Sequence, residues 1–412
     1  MTAIQVPADV ASALDPTASL LAKARAVAAE VVRLDADVDG AQALAHAAEV
    51  REALTRSELT LALHASLSQR AKLRVQLGAA ALAAYRSRAI SRPRRHNRLS
   101  QRLDRILSRL GPMGQALVIA RSGVWQEPGS EGFRSLIHYV RRGPDPKAAP
   151  KAFFDQAWYL SQYPDVAKGR IAPLTHYLLR GGREGRAPGP LFDDATHRAV
   201  NADQLAATSL TSLEHYVRVG ASEGRSPHPL FDVAHYLSQG PALQPGEAPL
   251  AHYLREGARA GLSPHPLFDP AWYGADTAAS PGLSHYLKVG WREGRSPHPL
   301  FDGAAYLQNN PDVAAMGSDP LTHFVVIGGL EGRSPGPGFD LAHYVAQRGA
   351  DLAPGVNPLI DYLQGGAWDV AEARPGFPNA AYIAHSLDLV TAGITPLEHW
   401  ARQMRGARQM RR

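Results

Sequence analysis

The stretch SPHPLFD occurs at residues 226–232, 263–269 and 296–302. Its Phe-Asp pair recurs with a period of about 38 residues, and Phe377 continues the series without the aspartate. A fixed period of this length is typical of repeat proteins, in which the stretch would be a joint between copies. The pairs are Phe154-Asp155, Phe192-Asp193, Phe231-Asp232, Phe268-Asp269, Phe301-Asp302 and Phe339-Asp340.

A second pattern, leucine two residues before a histidine and an aromatic residue after it, keeps the same period. The aspartate Asp361 replaces the histidine in one copy. Two independent patterns with one period predict tandem repeats from about residue 131 to 402. The histidine-aromatic pairs are His138-Tyr139, His176-Tyr177, His215-Tyr216, His252-Tyr253, His285-Tyr286, His323-Phe324 and His399-Trp400.

Each pattern predicts the start of a helix. In FDPAWY, Asp269 suits an N-cap and Pro270 the first helical position, while Phe268 and Tyr273 have the spacing of a hydrophobic staple. A proline three residues before the second-pattern histidine predicts the next helix, and a glycine five residues after that histidine would end or turn it. The alanine at the second helical position of every copy indicates close helix–helix approach. These alanines are Ala157, Ala195, Ala234, Ala271, Ala304, Ala342 and Ala380.

One copy is therefore a helix, a turn, a shorter helix and a joint rich in proline and glycine. A single copy cannot cover its own apolar face, whereas stacked copies can. We predict an all-α protein in which about eight helical-hairpin repeats stack as an α-solenoid over residues 131–402. Residues 1–16 are predicted to be disordered.

The segment 17–92 is rich in alanine and leucine and has no proline between Pro16 and Pro93. It predicts one amphipathic helix, a break near Asp39 and Gly40, and a longer helix. A helical hairpin and an oligomerising coiled coil both fit the pattern. The coiled-coil interpretation makes this chain a homo-oligomer.

Positive charge is concentrated in two segments of a chain whose net charge is +6. Residues 93–123 predict a basic amphipathic helix and a linker, and residues 403–412 a basic tail. The helix would hold the chain on an anionic membrane surface, or it would be a solvated helix packed on its neighbours. Because no aromatic residues interleave with the arginines, the pattern argues against nucleic acid. The arginines are Arg86, Arg88, Arg92, Arg94, Arg95, Arg98, Arg102, Arg105 and Arg109.

The histidine pattern raises the question of a metal. Packed helices lie about 8–10 Å apart, too far for equivalent histidines of successive copies to share one ion. We expect each ring to bond a nearby backbone carbonyl instead. The residues Asp35, Asp37 and Asp39 match the start of an EF-hand loop, but His46 stands where the closing glutamate belongs. They are a weak candidate, so no metal and no cofactor are expected.

Enzyme chemistry has few candidates in this sequence. The chain has no cysteine, which excludes disulfides and thiolate nucleophiles. The four Glu-Gly-Arg turns repeat, whereas an active site occurs once, so we interpret them as ion pairs or carbonyl clamps. No phosphate-binding loop and no nucleophile elbow is found. We therefore expect no catalytic residue.

The consensus FDxxxYLxxNPDVAxxGxDPLxHYLxxGxxEGRxP resembles repeats attached to bacterial glycosyltransferases of surface-polysaccharide synthesis, which also occur in secreted calcium-binding proteins of the RTX type. Residues 154–188 and 301–335 match best, and the resemblance covers roughly two thirds of the chain. It implies a setting in cell-envelope glycan assembly. A catalytic domain follows the repeats in those enzymes, and none is visible here; the RTX nonapeptides are also absent.

The leading hypothesis is a non-catalytic repeat scaffold or adaptor that binds a protein or glycan partner through its solenoid surface. The alternative is an exported carbohydrate- or calcium-binding envelope module. No secretory signal is visible at the start of the sequence. We therefore expect a cytoplasmic location, with peripheral association at the inner membrane.

Overall fold

The computed structural model describes residues 41–88, 111–125, 129–147, 153–208, 210–274, 282–369, 372–386 and 388–409. In these ranges every regular element is a helix and no strand is formed, which confirms the expected all-α class. The predicted helix in residues 17–38 and most of the arginine segment lie outside the described residues. No helix within the described ranges is both long and apolar enough to cross a bilayer.

Three helices precede the first Phe-Asp pair: α1 (Ala41–Arg88), α2 (Gly111–Ser122) and α3 (Gly129–Arg142), the last of which contains the first histidine-aromatic pair. α1 is the longer helix predicted from the proline-free segment. α2 occupies part of the predicted linker, and it is helical because Ala116, Val118 and Ile119 bury one of its faces.

Seven copies, numbered here by their phenylalanines from copy 1 (Phe154) to copy 7 (Phe377), each begin with a short helix. The predicted N-caps are confirmed in copies 1 to 6, where the aspartate side chain accepts a backbone N–H two or three residues later. In copy 7, Pro378 takes this position without a side-chain bond. These first helices are Gln156–Gln162, Asp194–Val200, Val233–Ser238, Pro270–Tyr273, Gly303–Asn309, Leu341–Arg348 and Asn379–His385.

The predicted staple is also confirmed. Ring centroids of the copy's phenylalanine and tyrosine are 5.0 Å apart for Phe154 and Tyr159, and 5.6 Å apart for Phe301 and Tyr306. Both rings of each pair are buried. The phenylalanine therefore anchors the joint to the first turn of the helix that follows.

The second helices of copies 1 to 5 begin as α-helix and widen into a π-turn. The widening is visible in backbone bonds that span five residues, such as Gly182 N to Tyr177 O at 2.8 Å. The α-helical parts are Pro173–His176, Ser212–His215, Pro249–His252, Gly282–His285 and Pro320–His323. The π-turns are Tyr177–Gly181, Tyr216–Gly220, Tyr253–Gly257, Tyr286–Gly290 and Phe324–Gly328.

Copies 6 and 7 have the second helices Pro358–Gln364 and Pro396–Gln409. The last helix extends past the predicted boundary at residue 402 into the predicted basic tail. Short 3₁₀ turns occur at Gly349–Asp351 and Gly366–Trp368. Four copies insert a further helix in the predicted turn: Pro164–Ala167, Ala202–Thr208, Pro311–Met316 and Asp388–Ala392.

The alanine prediction is wrong for five of the seven copies. Ala234 is half-buried, and the side chain of Ala380 lies outside the described set. The second position of these helices faces solvent because the staple and cap orient the opposite side of the first turn inward. The exposed alanines are Ala157, Ala195, Ala271, Ala304 and Ala342.

The chain divides into two compact units. The first comprises Gly78–His298 and Gly317–Thr322, and the second comprises Met1–Leu77, Pro299–Met316 and His323–Arg412. Within each unit, the backbone N–H of a copy's capping aspartate donates to a carbonyl in the following joint. The bonds run from Asp155 to Pro188, Asp193 to Pro227, Asp232 to Pro264, Asp269 to Pro297, Asp302 to Pro335 and Asp340 to Ala373.

Candidate functional site

The second-pattern histidines bond the staple tyrosines. In five copies the tyrosine hydroxyl and histidine Nδ1 are within hydrogen-bonding distance, so the expected bond to a backbone carbonyl is wrong. The tyrosine of the first helix reaches the ring because the two helices are antiparallel neighbours. The pairs are Tyr159–His176 at 3.1 Å, Tyr236–His252 at 2.6 Å, Tyr273–His285 at 2.6 Å, Tyr306–His323 at 2.9 Å and Tyr382–His399 at 2.9 Å.

The glycine five residues after each histidine makes this contact possible. A Cβ added at Gly257 would lie 2.0 Å from the Tyr236 hydroxyl, and one at Gly290 would lie 1.9 Å from the Tyr273 hydroxyl. Neither glycine has a positive φ. The sequence indicated that this glycine would end or turn the helix. The structure shows that the position needs glycine because the tyrosine hydroxyl approaches it closely, and a left-handed backbone is not the reason.

The Glu-Gly-Arg turns follow these glycines and form the predicted ion pairs. In copy 1, Arg186 contacts Glu184 at 2.8 Å and Asp165 at 2.9 Å, and its guanidinium stacks over Tyr163. In copy 5, Arg333 contacts Glu331 and Asp312, each at 2.8 Å. The glutamate and arginine are also paired in copies 2 and 4. These groups are exposed enough that solvent screens each pair, so the pairs contribute little to the stability of the fold.

Burial determines the protonation states of the tyrosine and the histidine in this cluster. Burial raises the pKa of Tyr306 to about 12, so its hydroxyl keeps its proton. Burial, with Arg333 second, lowers the pKa of His323. A neutral ring can accept the phenol hydrogen at Nδ1, and a buried bond of this kind contributes about 1 kcal/mol.

Two copies replace the pair with another polar contact. In copy 2, His197 Nε2 lies 3.0 Å from His215 Nδ1, and His215 Nε2 lies 2.7 Å from Gln204 Oε1. In copy 6, where the sequence has an aspartate in place of the histidine, Tyr344 donates to Asp361 at 2.5 Å. Arg348 lies 2.9 Å from Asp361 and neutralises it.

The joint histidines form a separate buried group. His228 Nδ1 accepts the N–H of Leu230 at 3.1 Å, and His265 Nδ1 accepts that of Leu267 at 3.1 Å. Burial lowers the pKa of His228 to about 4 and the pKa of His265 to about 3. Neutral rings of this kind hold the tight turn of each joint.

The predicted membrane residues are described only in part. Arg86 lies on the last turn of α1, where its Nε donates to the Glu223 carbonyl at 2.5 Å, and Arg88 ends the helix. The seven arginines from Arg92 to Arg109 lie outside the described residues, as do Asp35, Asp37 and Asp39. Across the described ranges, no three histidine or carboxylate side chains are grouped to hold a metal ion.

In these clusters the hydrogen-bond donors and acceptors of the side chains bond one another. The same tyrosine, histidine, glycine and arginine arrangement occurs in several copies, and its groups bond one another. The sequence pattern revealed the histidines and the turns but not the tyrosine–glycine contact. The glycine that stands at the same offset from the histidine in successive copies was the signal that could have revealed it.

No protein-family model, curated protein or solved structure matches this chain.

The tyrosine–glycine contact predicts a specific coupling. Gly257→Ala should lower the free energy of unfolding by about 1–3 kcal/mol because its Cβ collides with the Tyr236 hydroxyl. In a Tyr236→Phe background the same change should cost less, since the oxygen is gone. Urea unfolding followed by circular dichroism measures both. Gly338→Ala, at an open position, is the control, and equal losses in both backgrounds would contradict the contact.

The joint histidines predict acid sensitivity. Unfolded histidines titrate near pH 6.5, whereas burial lowers the pKa of folded His265 to about 3, so below pH 6.5 the unfolded chain binds more protons. Stability should fall as the pH drops from about 6.5 towards 3. His265→Asn keeps an acceptor for Leu267 but does not titrate. The loss of unfolding free energy between about pH 6.5 and 5 should therefore shrink by up to 1.4 kcal/mol per pH unit.

The matched control is His138→Asn, which makes the same substitution at an exposed position outside the joints. Identical pH profiles for wild type and His265→Asn would show that the joint histidine is not what makes the fold acid-sensitive.

Proposed function

We propose that this chain is a non-catalytic scaffold whose repeats stack as an α-solenoid and whose exposed helical surface binds a protein or glycan partner. The observation that carries the proposal is that two separate sets of residues in each copy maintain the fold and form the exposed surface. The tyrosine, histidine and arginine side chains that look reactive in the sequence bond one another inside each copy. The exposed positions of the second helices differ between copies.

Contacts between copies support the stacking. The N–H of Leu213 points to the Tyr177 hydroxyl at 3.4 Å, and the N–H of Leu283 points to that of Tyr253 at 3.3 Å. Each bond joins the second helices of neighbouring copies. Within the first compact unit, Lys288 of copy 4 also pairs with Asp155 of copy 1, which joins two copies that are not neighbours in the sequence.

The setting is proposed from the sequence. The resemblance to repeats attached to glycosyltransferases favours surface-polysaccharide assembly, with the scaffold peripheral on the inner membrane. The arginine segment supports that location, because each arginine near an anionic surface contributes about 1 kcal/mol to binding. Arg86 bonds the Glu223 carbonyl in the fold, which leaves Arg88 and the seven arginines from 92 to 109 as the lipid-facing candidates.

The membrane part predicts selective flotation. Full-length chain should float with phosphatidylglycerol vesicles and not with phosphatidylcholine vesicles. Replacing the seven arginines from 92 to 109 with glutamine should abolish flotation, and an excess of oligonucleotide should not. Glutamine at the arginines after residue 401 is the control and should retain binding. Failure to float with any vesicle would contradict the membrane location.

The non-catalytic part is tested separately. Purified chain incubated with uridine diphosphate sugars and a polysaccharide acceptor should release no uridine diphosphate above a heat-denatured control. Release that rises with chain concentration would show an enzyme and remove the scaffold proposal, whatever the vesicle result.

A further inference from the structure

The exposed positions of the second helices contain one apolar group. Two, three and six residues after the aromatic of the second pattern, copy 4 has Lys288, Val289 and Arg292. Copy 3 has two arginines and a glutamate there. Copy 5 instead has three aliphatic side chains, which are 42%, 45% and 52% exposed: Val326, Ile327 and Leu330.

These three residues form a surface, here called the copy 5 patch. Val326 and Ile327 lie in the π-turn of copy 5, and Leu330 follows in the next turn, where its N–H donates to the Ile327 carbonyl at 2.9 Å. The patch borders the turn that contains Gly332, where an added Cβ would meet nothing within 4 Å among the described residues. Three adjoining aliphatic side chains beside an open turn are characteristic of an interaction surface.

The equivalent place in copy 2 shows what such a surface accepts. The end of α1 lies on it: a Cβ at Gly224 would be 2.3 Å from Leu82 and 3.5 Å from Tyr85. Arg86 donates to the carbonyl of the turn residue Glu223. Val219, which corresponds to Ile327, is only 9% exposed.

The docking face of α1 has a simple pattern. Gly78 packs against the Ala234 carbonyl, Leu82 follows one turn later, and Tyr85 and Arg86 lie one turn beyond it. A small residue allows close approach, two apolar residues cover the turn, and the arginine bonds a carbonyl at the helix end. Helix C-termini carry partial negative charge, which favours this arginine.

The charges around the copy 5 patch suit the same kind of helix. Asp312 and Glu331 both contact the single guanidinium of Arg333, so this cluster carries a net charge of −1 (two acids and one base). A basic residue of a partner would complement it. The aliphatic side chains offer no hydrogen bonds to sugar hydroxyls, which favours a protein over a glycan here.

We propose that the copy 5 patch is a docking site for an amphipathic helix of a partner protein, with the α1 pattern of small, aliphatic, apolar and basic residues. The inference rests on the proposed scaffold function and names one of its binding sites. A second copy of this chain is not the proposed occupant, because the docking face of its α1 is already packed on its own copy 2.

The test uses a synthetic peptide of residues 71–88 as the probe, since it has the docking face and needs no knowledge of the natural partner. Fluorescence anisotropy of labelled peptide with full-length chain should show saturable binding. The double variant Ile327→Arg, Leu330→Arg should weaken binding at least tenfold. Val289→Arg, at the equivalent exposed position of copy 4, should not, and a peptide with Leu82→Glu should not bind.

Several results would overturn the inference. These are absence of saturable binding, binding that survives the double variant, and equal loss in Val289→Arg. A lower unfolding midpoint of the isolated double variant would show that the chain's own residues cover the patch. A change from dimer to monomer in sedimentation would identify a second copy as the occupant. A failed peptide experiment leaves the vesicle and sugar-transfer results standing, so the two proposals fail separately.

Discussion

The repeat depends on a tyrosine hydroxyl packed against a glycine that has no side chain. In copy 3 the Tyr236 hydroxyl bonds His252 and occupies the space that a Cβ at Gly257 would need. That glycine is also the last residue of the π-turn, so the contact sets where the second helix ends. The direction of the Glu-Gly-Arg turn and of the next joint follows from it.

This constraint separates the inside of a copy from its surface. Inside, aromatic rings, histidines and glycines are so closely packed that few substitutions fit, and copies resemble one another. On the exposed side of the second helix nothing restricts the residue, and copies 3, 4 and 5 differ there in charge and polarity. A fixed frame with a variable face is the arrangement on which the proposed scaffold function rests.

The sequence predicted the parts that depend on neighbours in the chain. The period, the aspartate caps and the Phe–Tyr staple all act within about one or two helical turns, so local patterns revealed them. The partner of each histidine was missed because Tyr159 and His176 meet only after two helices pack. Copy 6 shows the same limit: Asp361 was visible as a departure, but its neutralisation by Arg348 depends on helix packing.

The backbone bond from each capping aspartate to the next joint has a consequence for folding. Asp232 donates to Pro264, a residue that belongs to the end of its copy and the beginning of the next joint. Part of the stabilisation of each copy therefore comes from a hydrogen bond at its boundary with the next copy. This part is lost when the neighbouring copy is unfolded. Folding should spread from copy to copy by nearest-neighbour cooperativity, and the end copies should fray first. A single copy cut out of the chain would lack the bonds that its neighbours supply.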